Sequence, residues 1–169
     1  MRSCIILGVD PGLLNTGWGI IKKDGNSLFY IATGTIITKS SDEMSYRLCK
    51  ISDELTKAIN LYNPTECAVE ETFVNRNPML SLKLGYSKGV TMLTAGKSNL
   101  SVFEYAPRLV KKSLVGSGRA QKDQVFYMVK QLLPLAQITN DHESDALAIA
   151  ICHAHMKNSY SYLSKQTLC

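Results

Sequence analysis

Cys4-Ile5-Ile6-Leu7-Gly8-Val9-Asp10-Pro11-Gly12 is an apolar, β-branched run that ends on a carboxylate and a Pro-Gly pair. Such a run reads as a buried strand closing in a turn. Outward from it, Gly17 to Lys23 alternates loosely, Asp24-Gly25 supplies a hairpin turn, and Leu28 to Thr38 supplies the returning strand. Three antiparallel strands therefore open the chain. Ser40 and Glu43 form a capping-box pattern, and Met44, Leu48, Ile51, Leu55 and Ile59 recur at helical steps until Pro64 stops them. Cys67 to Glu70 is too short for a helix and lies between turns, so it reads as a fourth strand. Asn77-Pro78 caps a long helix with Met79, Leu82, Tyr86, Val90 and Leu93 on one face; Gly85 and Gly89, one turn apart, permit close approach of another backbone.

Val102 to Tyr105 is a fifth short strand, and Gly116-Ser117-Gly118 leads into a helix with Val125, Met128, Val129, Leu132 and Leu133 inward until Pro134. The last helix opens near Asn140, with Glu143 as its capping-box partner, and is expected to end near His155. Residues 158–169 are polar and aperiodic and read as a loose tail behind a 1–157 domain. Three strands followed by alternating helix and strand make an α/β pattern, a mixed five-stranded sheet flanked by helices. In such sheets side chains gather at the carboxyl ends of the parallel strands.

At 169 residues, 45% hydrophobic and 20% charged, the chain has the length and profile of one globular domain. No apolar run approaches the ~20 residues of a membrane span, and the N-terminus has no small-residue cleavage site, so a cytoplasmic protein without membrane attachment is expected. Five cysteines, an odd number without C-x-x-C spacing, read as reduced thiols. The net charge of +5 favours a polyanionic partner weakly.

Asp10 ends the first strand, Glu70 ends the fourth, and His142 and Asp145 stand three apart on the first turns of the last helix. An aspartate before Pro-Gly is an ordinary turn former, and His-x-x-Asp an ordinary surface pattern. Set beside buried apolar runs, however, unpaired charges are expensive, and a divalent cation would relieve that cost. Carboxylates suit Mg²⁺ or Mn²⁺, with an imidazole tilting the preference toward Mn²⁺. Two such ions about 4 Å apart can activate a water and stabilise the leaving oxygen in phosphodiester cleavage. Arg108, Lys111, Lys112, Arg119 and Lys122 crowd the stretch around Gly116-Ser117-Gly118, and Lys122 falls in the first turn of a helix, whose amino end attracts anions.

Gly8-Val9-Asp10-Pro11-Gly12, Thr16-Gly17-Trp18-Gly19, Ala68-Val69-Glu70, Leu82-Lys83-Leu84-Gly85, Phe103-Glu104-Tyr105, Val110-Lys111 and Asp145-Ala146-Leu147-Ala148-Ile149-Ala150 occur in that order. Together they resemble the motifs of the RuvC family of Holliday junction resolvases over roughly residues 3 to 156. The resemblance implies an RNase H-like fold and a metal-dependent endodeoxyribonuclease that nicks opposed strands of four-way DNA junctions in recombination and repair. It implies Asp10, Glu70, His142 and Asp145 as the metal-binding catalytic set, holding two Mg²⁺ with Mn²⁺ as a substitute, and Lys111 and Lys122 beside the scissile phosphate. It implies Phe73 as an aromatic stacking on unpaired bases, with Arg76, Arg108, Lys112 and Arg119 among the DNA contacts. A homodimer joined through the helix carrying Gly85 and Gly89, and cooperation with RuvA and RuvB, complete the expectation.

Some assignments stay open at this level. Neighbouring strand residues face opposite ways, so only one of Glu70 and Glu71 can enter the site, and the family spacing to Phe73 favours Glu70. His142 reads as a ligand or a proton handler, with Asp141 and Glu143 as nearby alternatives. Without the resemblance, Phe73, an aromatic after a strand, reads as core rather than as a wedge. Trp18, Tyr86, Phe126 and Tyr127 read as packing residues, and His153 and His155 as partly exposed residues near a helix end. Rival functions are an RNase H-fold nuclease acting on structured RNA and a module that binds junctions without cutting. The Gly8–Gly12 strand-turn also resembles the phosphate loop of actin-like ATPases, folds that need a second domain.

Overall fold

A computed structural model of the chain describes residues 3–71 and 78–166, with side chains through Lys157. The elements are β1 (Cys4–Asp10), β2 (Asn15–Asp24), β3 (Ser27–Ile37), α1 (Met44–Tyr62), β4 (Glu66–Glu70), α2 (Pro78–Lys97), β5 (Ser101–Tyr105), α3 (Pro107–Val115), α4 (Lys122–Leu132) and α5 (Asp141–Gln166). The five strands form one mixed sheet in the order β3-β2-β1-β4-β5. β1, β2 and β3 pair antiparallel, whereas β1, β4 and β5 are parallel. Gly25, at φ 60°, closes the hairpin between β2 and β3.

The two-residue period of the strands sorts the side chains between two cores. Leu7, Val9, Cys67 and Val69 face α1 and α2, and pack with Ile51, Leu55, Ile59 and Ala95. Cys4, Ile6 and Ala68 face the other way, toward α3, α4 and α5. On that second face Gly8 and Gly17 bring α5 onto the sheet: a Cβ on Gly8 would lie 2.1 Å from the Ala146 carbonyl oxygen, and one on Gly17 2.0 Å from that of His142. Ala146 to Cys152 are all buried, so the middle of α5 is covered on every side.

Several elements depart from the sequence expectation. α1 begins at Met44 behind Glu43, without a side-chain cap, so Ser40 stands too far upstream to close the expected box. α3 was not foreseen, although Pro107 in its first turn and Gly116 at φ 83° behind it are ordinary start and stop signals. α5 runs on to Gln166 rather than ending near His155, because no proline or glycine follows Asp141 to interrupt it. α2 buries Ser87, Thr91, Thr94 and Ala95, packs Val90 against the core, and leaves the rest of its apolar stripe, Met79, Leu82, Tyr86 and Leu93, outward. Its polar inner face is satisfied by hydrogen bonds, Ser52 Oγ to Thr94 Oγ1 at 2.9 Å and Ser87 Oγ to the Gly12 carbonyl at 3.2 Å. Tyr86, Phe126 and Tyr127 are therefore exposed, not packed, since each lies on a helix face turned from the sheet. His153 is the opposite correction: it is fully buried, because α5 continues past it.

Candidate active site

The same strand period decides which carboxylates meet. Asp10 follows Ile6 and Gly8 onto the α5 side of β1, and Glu70 follows Glu66 and Ala68 onto the α5 side of β4. α5 runs against β4, so its first turns lie over the carboxyl ends of both strands. Glu66 to Glu70 spans about 13 Å of strand, and Asp145 to His153 about 12 Å of helix. The match puts His153 opposite Glu66, where Nε2 is 2.8 Å from Oε2, and puts Asp145 near Glu70.

A cavity of about 320 Å³ results, lined by Asp10, Glu70, His142 and Asp145 together with Lys111 of α3 and Lys122 of α4. His142 Nδ1 is 2.9 Å from Asp10 Oδ2. Lys122 Nζ stands 3.6 Å from Asp145 Oδ2 and 3.6 Å from Asp141 Oδ2. Burial and the charges of Asp10 and Asp145 push the Glu70 carboxyl up to about 7, with Lys111 and Lys122 opposing. Burial and Asp10 likewise raise the Asp145 carboxyl. Asp145 in turn raises the Lys122 ammonium. Three carboxyl groups thus crowd one space at an electrostatic cost that a divalent cation would remove, and an oxygen-rich donor set of this kind fits a hard ion. As they stand the donors face one another without converging: among the described residues no three His, Cys, Asp or Glu side chains close to the spacing of a metal site.

Of the alternatives left open by the sequence, Glu70 lines the cavity and Glu71 is not among its lining residues. Glu143 is buried away from the cavity, accepting hydrogen bonds from Thr139, Asn140 and Thr35. This network pins the start of α5 to β3. Asp141 is exposed and pairs with Lys122. Arg108, Lys112 and Arg119 are exposed outside the cavity lining. Phe73 and Arg76 lie outside the described residues. The Asp141–Lys122 pair escaped the sequence reading, as a contact between separate helices carries no local pattern.

The family model for crossover junction endodeoxyribonuclease RuvC matches residues 6–153. The chain belongs to the RuvC family. It is 51% identical to the RuvC of Gluconobacter oxydans over 158 residues, 94% of each chain. Among solved structures it resembles Thermus thermophilus RuvC in complex with a Holliday junction substrate, with a TM-score of 0.88, 29% identity, and coverage of 94% of this chain and 97% of that one. The yeast mitochondrial Holliday junction resolvase Ydc2, at 16% identity and a TM-score of 0.63 over 96% of this chain and 85% of that one, shares the fold. Membership in the RuvC family makes the chain an endodeoxyribonuclease with the RNase H-like fold, hydrolysing phosphodiester bonds; dependence on a divalent metal is general to the RuvC family. No helix among the described residues is long and apolar enough to cross a membrane.

Proposed function

We propose that this chain is a Holliday junction resolvase that nicks opposed strands of a four-way DNA junction, with Asp10, Glu70, His142 and Asp145 as its metal-binding set. The observation that carries the reading is the single cavity in which these four donors face Lys111 and Lys122. A divalent ion, Mg²⁺ with Mn²⁺ as a substitute and two per site, would supply Lewis-acid neutralisation of the scissile phosphate. Lys111 and Lys122 place ammonium groups beside the phosphate as its charge grows. His142 and Asp10 hold each other in orientation. Arg108, Lys112 and Arg119, exposed around α3 and α4, suit the flanking phosphates.

A four-way junction has two-fold symmetry, and a two-fold dimer would present two such cavities to opposed strands. α2 supports that arrangement. Leu82, Tyr86 and Leu93 are exposed on its outer side, and Cβ atoms built on Gly85 and Gly89 meet nothing within 4 Å. Cooperation with RuvA and RuvB belongs to the same reading through the family resemblance.

The test is incubation of purified protein with labelled four-way junction, linear duplex and structured RNA, with and without Mg²⁺. Paired nicks confined to the junction and requiring metal are expected. Cutting of the RNA instead would assign an RNA nuclease, and metal-independent binding without cutting would assign a binding module. Leu82→Glu, placed in the α2 stripe, should shift sedimentation from dimer to monomer; an unchanged dimer would move the interface elsewhere.

A further inference from the structure

A second cavity, of about 400 Å³, is lined by the Gly12–Asn15 turn and adjoins the catalytic one, since His142 lines both. Its walls combine Leu13, Leu14 and Leu84 with Asn15, Lys83 and Arg47. The turn that forms its floor is held from beneath. The Gly12 carbonyl accepts hydrogen bonds from Thr16 Oγ1 at 2.5 Å and Ser87 Oγ of α2 at 3.2 Å. The Leu13 carbonyl accepts from Thr38 Oγ1 and from Arg47 Nη2, the latter at 3.0 Å, while Arg47 Nε donates to Thr38 Oγ1 at 2.9 Å. Leu14 accepts from the Thr38 backbone N–H at 2.9 Å. Arg47 is buried, whereas the Leu14 side chain is 51% exposed. Three elements thus fix the backbone of a turn whose next side chain stands open to solvent.

We propose that this cavity is a base-binding subsite, which takes an unstacked base of the DNA strand adjoining the cleaved phosphate. The inference rests on the reading of the neighbouring site as a junction nuclease. A strand with its phosphate at Asp10 and Asp145 passes His142 and so reaches the second mouth. The apolar walls suit the face of a base rather than a phosphate, with Lys83 at the margin for the backbone. Asn15, carrying both a donor and an acceptor, suits a base edge. The volume falls within the range of small-molecule sites, and a preformed turn avoids the ordering cost that weakens recognition by loose loops.

Four-way junctions carrying 2-aminopurine at single positions around the nick, bound without metal, test the subsite directly. The parent should change the fluorescence of one position in the cleaved strand, and Leu14→Trp, which fills the mouth, and Leu14→Ala, which widens it, should each suppress that change. With Mg²⁺, the preference among bases at that position should fall by about tenfold in either variant and in Asn15→Ala, the size expected for losing one pocket contact. Leu135→Ala, at an exposed position outside the cavity, should leave both readouts unchanged. Identical fluorescence maps for the parent and both Leu14 variants, or the absence of any position-specific change in the parent, would overturn the subsite. If the parent binds without nicking, the junction-nuclease reading fails while the fluorescence map still decides the subsite.

Discussion

His142 Nδ1 and Asp10 Oδ2, 2.9 Å apart, join residues separated by 132 positions and tie the first turn of α5 to the carboxyl end of β1. The contact forms because Gly17 lets the His142 backbone settle against β2. His142 is thereby held at the cavity, half-exposed, with its ring against Asp10.

Removing that imidazole is expected to lower the single-turnover nicking rate of His142→Ala by at least about 10- to 100-fold, the range seen when even an outer partner of a metal ligand is lost. His142→Asp restores an oxygen donor and should recover much of it. Asp10→Asn should abolish nicking while junction binding, followed by gel shift without metal, persists. An alanine variant that cuts like the parent would return His142 to the surface.

Glu70 gives a stability signature with a definite sign. Its carboxyl is raised from 4.5 to about 7 in the fold, so between those values the folded state holds a proton that the unfolded chain releases. The stability contributed by Glu70 to the metal-free protein is therefore lost as pH rises through that window, opposite in sign to the contribution of His153. Relative to the parent, Glu70→Gln should gain at most about 3 kcal/mol above pH 7, a gain that disappears on acidification, while losing nicking, and Glu71→Gln should change neither. Urea denaturation of the three proteins from pH 4 to 8 measures the difference; a gap between the parent and Glu70→Gln that does not change with pH would place the raised proton elsewhere.

Lys122 is held between Asp141 and Asp145, and Lys111 lines the same cavity. Lys122→Ala and Lys111→Ala should slow saturated, single-turnover cutting by about 100-fold, an effect of transition-state charge, with a much smaller loss of affinity. Loss of binding with normal cutting at saturation would make these lysines anchors.

Midway along α5, Tyr105 Oη lies 2.7 Å from His153 Nδ1, and Glu66 joins His153 Nε2 at 2.8 Å and Lys157 Nζ at 2.6 Å. Burial holds His153 below its usual range. Burial alone would raise Glu66, but the hydrogen bonds from Lys157 and His153 outweigh it and lower the carboxyl. Folded His153 resists a proton that the unfolded chain accepts below ~6.5, so its contribution is lost as pH falls below that value. That of Glu66 is lost at still lower pH, as it falls through the depressed carboxyl value. His153→Phe keeps an aromatic beside Phe103, whose ring centroid is 4.5 Å from that of His153, but strands two buried partners. It should be less stable by about 2–3 kcal/mol near pH 8, and the difference from the parent should shrink on acidification. A pH-independent difference would show that His153 contributes packing alone.

The chain order of β1 to β5, the mixed sheet and the helix starting near Asn140 are legible in the sequence because strand alternation, turn residues and helical spacing are local signals. The nomination of Asp10, Glu70, His142 and Asp145 was also legible, through motif order and through His142 and Asp145 sharing a helix face. Local pattern leaves undecided what each face meets. Most of the apolar stripe of α2 points outward because Ser87 and Thr94 find hydrogen-bond partners inward, at Gly12 and Ser52. Glu143, equal to Asp141 as a candidate on the page, is withdrawn by its bonds to Thr139, Asn140 and Thr35. His153, polar and near an expected helix end, becomes a buried hub because Glu66, on another element, satisfies it. Sequence fixes periodicity and donor type along the chain; the meeting of Asp10 with His142, or of Glu66 with His153, depends on how closely α5 can approach the sheet, and the missing side chains of Gly8 and Gly17 set that distance only once the two surfaces are packed.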